Sequence, residues 1–85
     1  MKVYTLTENC YVEDVLIIAD QLLGVFGSLE KAQNAMKELM DHSSLIDALY
    51  VEDAVKDISE YEGTVAGTYN EQRISFRFTI TEYNI

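Results

Sequence analysis

DHSSLIDALYVEDAVKDISEYE, residues 41–62, is the stretch on which the fold turns, because it reads either as a second helix or as a segment broken by a short strand. Leu45, Ile46, Leu49, Ala54, Val55 and Ile58 recur at roughly helical intervals. Ser43 and Ser44 offer a stop and a new cap, and Tyr61 or Gly63 an end. The run 48–52 (ALYVE) is β-branched and aromatic enough to be a strand instead, since periodicity cannot separate the two over so few residues. The helical reading is adopted as the expectation. The same stretch holds seven acids (Asp41, Asp47, Glu52, Asp53, Asp57, Glu60, Glu62) and one base, Lys56. The other 63 residues hold eight acids and five bases, so two thirds of the net charge of −9 sits in a quarter of the chain. Charge concentrated in this way suggests a surface for a partner more than general solubility.

On either side the pattern is plainer. KVYTLT (2–7) opens a first strand that can run to Val12, and Glu13-Asp14 interrupts it. Residues 15–26 then supply a second strand, with an irregularity at Asp20-Gln21 and a bulge at Gly24, the two forming an antiparallel hairpin. Ser28 stands where an N-cap belongs, Glu30 suits the first-turn dipole, and Leu29, Ala32, Ala35, Met36, Leu39 and Met40 form one apolar stripe of a helix. Near the end, Ile74, Phe76, Phe78 and Ile80 alternate with Ser75, Arg77, Thr79 and Thr81, a half-buried strand. It is expected to pair with 64–69 across a four-residue loop, 70–73. The expected fold is therefore α+β: a two-layer sandwich with a four-stranded antiparallel sheet in ββααββ order and two helices on one face. The uncovered face should show Thr, Ser, Arg and some Tyr.

Eighty-five residues, 48% of them apolar, with six Tyr and three Phe, suit one domain (1–85) with a single core. No Pro and no linker-like tract divides it. The longest apolar run is five residues (15–19), against about 20 for a membrane span, so no membrane partner is expected. A single cysteine, Cys10, provides no disulfide framework, and with no signal-peptide core evident the expected location is cytoplasmic.

Several segments already placed carry a resemblance. The opening Met1-Lys2-Val3-Tyr4-Thr5-Leu6-Thr7, the junction from Leu22 through Gly24-Val25-Phe26-Gly27-Ser28 to Ala32, and the closing Ile80-Thr81-Glu82-Tyr83-Asn84-Ile85 resemble a set of short, uncharacterised bacterial and phage proteins. Those open MKVYVLT, turn through GVFSS-EKA into a helix and close on an E-Y-x-hydrophobic strand. About 24 positions match, and the motifs are structural, so the resemblance implies strands and a helix but no activity. Residues 41–62 have no counterpart in it.

Catalysis is not expected. A nucleophile–base pair could draw only on Cys10 and His42, which fall on different elements with no third group. One Cys and one His cannot build a zinc site, no D-x-D-x-D-G loop suggests calcium, and the four glycines form no phosphate loop. No cofactor is expected. Direct nucleic-acid binding is opposed by the charge and by only six dispersed bases, although the exposed strand face with Arg77, Tyr69 and Thr79 is the kind of platform on which a base can stack.

Protein binding remains. On a helix, Asp53, Asp57 and Glu60 fall within about 60° of one another with a rise of roughly 5–6 Å per turn, comparable to phosphate spacing along one strand, with Asp47 and Glu52 as flanking acids. In size and acidity the chain resembles small phage inhibitors of DNA-handling enzymes, the anti-CRISPR and anti-restriction type. That likeness implies a basic nucleic-acid-binding protein as partner. The alternative is a structural or homodimeric interaction protein whose acids are merely solvated, with the strongly alternating last strand offering an edge for pairing if it lies at the rim.

Overall fold

The computed structural model describes residues 1–42 and 55–85. Its elements are β1 (Lys2–Val12), β2 (Val15–Phe26), α1 (Leu29–His42), β3 (Val55–Ile58), β4 (Glu62–Tyr69) and β5 (Gln72–Asn84). The strands form one antiparallel sheet in the order β2-β1-β5-β4-β3.

This overturns the expected ββααββ sandwich: the sheet has five strands, and α1 is the one helix among the described residues. The difference lies in 41–62. Where a second helix was expected to run past residue 55, Val55–Ile58 instead pairs with β4, Lys56 opposite Val65 and Ile58 opposite Gly63. Val55 and Ile58 are β-branched and suit an edge strand, and β4 without this neighbour would leave a row of backbone donors and acceptors unpaired. The reversal after β3 is closed by Ser59, whose backbone N–H donates to the Glu62 carbonyl at 2.8 Å. The portion of the helical reading over 45–54, and the alternative strand at 48–52, lie outside the described residues.

The first hairpin follows the expectation. Glu13 and Asp14 both take positive φ (49° and 64°), the two-residue turn whose twist matches that of the flanking strands. Pairing of β1 with β2 slips at three places. One slip leaves Leu23 as an extra residue beside Gly24, and another surrounds Asp20, whose φ is 49° and whose N–H donates to Asn9 Oδ1. The second hairpin is tighter than expected. Asn70 and Glu71 alone form the turn, at φ 51° and 64°, and Tyr69 faces Gln72, so the supposed four-residue loop is two residues long. Asn in the left-handed region is what permits this. The two tips lie side by side: the Glu13 N–H donates to the Arg73 carbonyl at 2.8 Å and the Arg73 N–H to Glu13 Oε1 at 3.2 Å.

β5 is central, between β1 and β4, and its alternation works as expected. Phe76, Phe78 and Ile80 are buried on the helix side, against Leu6 and Cys10 of β1 and Val65 of β4. Helix α1 begins at Ser28, whose Oγ accepts the Lys31 N–H at 3.2 Å. It buries Ala32, Met36 and Met40, spaced i, i+4, i+8, on that same face, with Leu29, Ala35 and Leu39 half-buried beside them. The rims are β2 and β3, so the proposed pairing of molecules through the edge of β5 is not available.

Candidate protein-binding surfaces

Strand alternation sorts the side chains of β3. Lys56, opposite Val65, lies on the helix side, where its Nζ stands 3.5 Å from Asp41 Oδ1 at the end of α1. Asp57, opposite Thr64, lies on the open side. There Asp57 and Glu62 line one shallow hollow of about 130 Å³ together with Ile58, Ser59 and Thr64. Glu60 stands in the turn between β3 and β4, exposed, its carbonyl accepting from Gln33 Nε2 of α1 at 2.9 Å. Among the described residues the carboxylates of Asp57, Glu60 and Glu62 have no hydrogen-bond or ion-pair partner.

Of the five acids expected to bind a partner, the structure thus places Asp57 and Glu60 at one corner and adds Glu62; Asp47, Glu52 and Asp53 lie outside the described residues. The helical ribbon of carboxylates is corrected at Asp57 and Glu60, which occupy a strand and a turn. Lys56, interleaved with these acids in the sequence, is turned away from them because neighbouring strand residues face opposite sides.

The open face carries Thr5, Thr7, Thr64, Thr79, Thr81, Ser75 and Arg77, as the alternation of β5 requires. A groove of about 280 Å³ runs past Tyr11, Asp14, Thr64, Ser75 and Arg77. Tyr69 is corrected: it pairs with Gln72, on the opposite side from Arg77, so the expected Arg77–Tyr69–Thr79 platform does not form, and Tyr11 is the tyrosine beside Arg77.

The helix side holds the groups whose pKa is shifted. Glu8 is half-buried between Gln21 and Phe78, and burial raises its carboxyl above the usual range. Burial, and secondarily the neighbouring Glu8, push the Cys10 thiol up, which disfavours the thiolate a nucleophile would need. Tyr4 donates its hydroxyl to Glu82 Oε1 at 3.0 Å, and that bond, followed by desolvation, raises its pKa. Among the described residues no three His, Cys, Asp or Glu side chains gather as metal ligands would.

One surface was not anticipated. Val15, Leu16, Ile17, Ile18, Leu22 and Val25 of β2 are exposed large apolar side chains along a twelve-residue strand that, among the described residues, forms a rim of the sheet. The clue in the sequence is that 15–26 neither alternates nor carries a charge other than Asp20, unlike a strand that faces water on one side.

Fold and surfaces together define a small helix-on-sheet domain with shallow open hollows and two chemically unlike rims. Residues 1–71 match the family described as Domain of unknown function (DUF7336), and the chain belongs to that family. The match ends at the turn before β5, the central strand. No curated protein and no solved structure matches the chain. Among the described residues no helix is long and apolar enough to cross a membrane.

Proposed function

We propose that this protein is a non-catalytic binding module that uses the acidic corner at β3 and β4 to dock on the basic surface of a nucleic-acid-handling protein. The observation that carries this reading is the separation of Lys56 from Asp57 across β3. Lys56 pairs with Asp41 on the helix side, and Asp57, Glu62 and the adjacent Glu60 are exposed carboxylates with no ion-pair partner among the described residues. Exposed carboxylates held on paired backbone are a pre-oriented match for Lys and Arg, and their field raises the encounter rate with a basic patch. An inhibitor of phage type, which displaces nucleic acid from such a patch, is the specific form of the proposal. It rests on acidity and size together with this corner, and no longer on helical phosphate-like spacing.

The test is affinity capture from a lysate of the encoding organism at low salt, with wild type beside the double reversal Asp57→Lys, Glu62→Lys. Both side chains are exposed, so the thermal midpoint should stay nearly unchanged. The expected result is a basic nucleic-acid-binding protein held by wild type, released as salt rises and lost by the variant. Equal retention by the variant, or no basic protein held by wild type, would refute the proposal.

A further inference from the structure

We propose that β2 is the contact strand of a homodimer, in which the β2 strands of two copies pair antiparallel across a two-fold axis and join two five-stranded sheets into one. This inference is independent of the acidic-corner reading.

The two rims of the sheet are treated very differently. β3, Val55–Ile58 among the described residues, carries Lys56 and Asp57, charges that protect a rim. β2 is twelve residues long, has no Lys, Arg or Pro, and exposes Ile17 at 60%, Leu22 at 59% and Val25 at 58%. The exposed parts of six apolar side chains, on the order of 100 Å² each, cap the side-chain area this contact can bury over two copies at about 1,200 Å², the lower end of specific interfaces.

The occupant is indicated by the strand's own sequence. VLIIAD-QLLGVF is nearly symmetric in character about the bond between Asp20 and Gln21. An isologous contact requires this symmetry, because each residue on one side of the axis must suit its counterpart in the other copy. In antiparallel register about that bond, Ala19 faces Leu22 of the second copy, Ile18 faces Leu23 and Leu16 faces Val25, while Asp20 belongs to the bulge opposite Asn9. The faces agree as well. Leu16 and Val25 both lie on the open side, through their pairs Tyr11 and Thr5, while Ile18 pairs with Cys10 on the helix side, against which Leu23 also packs. The bulge at Asp20 therefore sits at the centre, with apolar pairs on both sides.

Charge agrees with this arrangement. The net −9 would oppose self-association, yet β2 contributes one acid. The corner with Asp57, Glu60 and Glu62 lies at the far rim, four strands away, or roughly 19 Å at about 4.8 Å per strand. Pairing through β2 sends the two acidic corners to opposite ends of the joined sheet. The same register sets Asp14 across from Gly27 of the second copy, just before the Ser28 cap of its α1, where a helix N-terminus favours a carboxylate.

Sedimentation equilibrium of the full chain at about 50–100 µM, a range that detects micromolar association, is the first measurement. Wild type should give twice the 9.7 kDa monomer mass. Leu16→Lys with Val25→Lys should weaken dimerisation at least ~100-fold and give monomer with an unchanged far-ultraviolet spectrum, since both side chains are exposed in the single chain. Register is read by mixing Ala19→Cys chains with Leu22→Cys chains under mild oxidation. The mixture should form a disulfide between chains, and Ala19→Cys alone, offset by three residues and so about 10 Å from its copy, should not. A wild-type monomer at every concentration, a dimer indifferent to the double lysine variant, or cross-linking of Ala19→Cys with itself as fast as with Leu22→Cys would overturn the proposal.

Discussion

Phe78→Ala is expected to cost about 3–5 kcal/mol, the range for removing a buried phenyl ring and leaving a cavity. Phe78 is 1% exposed at the middle of the central strand, with Glu8 opposite on β1 and Gly63 opposite on β4, so backbone on both sides is fixed by ladders that cannot close in around the space. A domain of this length holds roughly 4–13 kcal/mol in all, so the variant should lose much of its margin, and urea denaturation followed by circular dichroism should show a midpoint far below that of wild type. A loss under about 1 kcal/mol would mean that Phe78 is not at the centre of the core.

Gly63→Val is the second large effect, and its cause is the opposite one. Gly63 of β4 lies directly under the Met36 and Met40 side chains of α1. A Cβ there would collide with Met40 Sδ and come within 3.2 Å of Met40 Cε and 3.3 Å of Met36 Sδ. Overpacking of this kind costs about 1–3 kcal/mol, and valine, with two further methyl groups, should reach the upper end while alanine costs less because methionine can bend away. The contact also makes a specific claim about coupling. Adding Met40→Ala should make Gly63→Ala cheaper than it is in the wild-type background, measured as a double-mutant cycle by thermal or urea unfolding. Strict additivity would mean that Met40 does not lie over Gly63.

The same residues show why part of this fold was legible and part was not. The β1–β2 hairpin, α1 with its Ser28 cap, and the inward row Phe76, Phe78, Ile80 each rest on a local signal that the packing then uses unchanged. Val55 and Ile58 carry no such signal. A spacing of three residues fits a helix, and the two β-branched residues fit a strand, so the choice was made by pairing with the edge of β4, which the pattern of 55–58 alone does not contain. The hairpin loop was overestimated because Asn70-Glu71 lacks the glycine that marks a two-residue turn, although Asn and even Glu enter the left-handed region when both flanking strands are well paired. For the candidate site, acidity was legible as composition, and Asp57 and Glu60 were named from it. The pairing of Lys56 with Asp41, which leaves Asp57 uncompensated, depends on strand alternation and was invisible under a helical reading. The apolar rim of β2 was hidden for another reason: a run such as VLIIA looks like a buried strand until the strand order puts it at the edge.

Everything proposed for the acidic corner rests on residues 55–62 being an edge strand and turn, since that geometry alone puts Asp57 and Glu62 on one side and Lys56 on the other. Nuclear Overhauser contacts in the labelled protein test this most directly. Cross-strand backbone contacts are expected in the register Lys56 with Val65 and Ile58 with Gly63, and none of the i to i+3 contacts of a helix between residues 55 and 61. A continuous ladder of helical contacts through 55–61, with no cross-strand contact to β4, would contradict it.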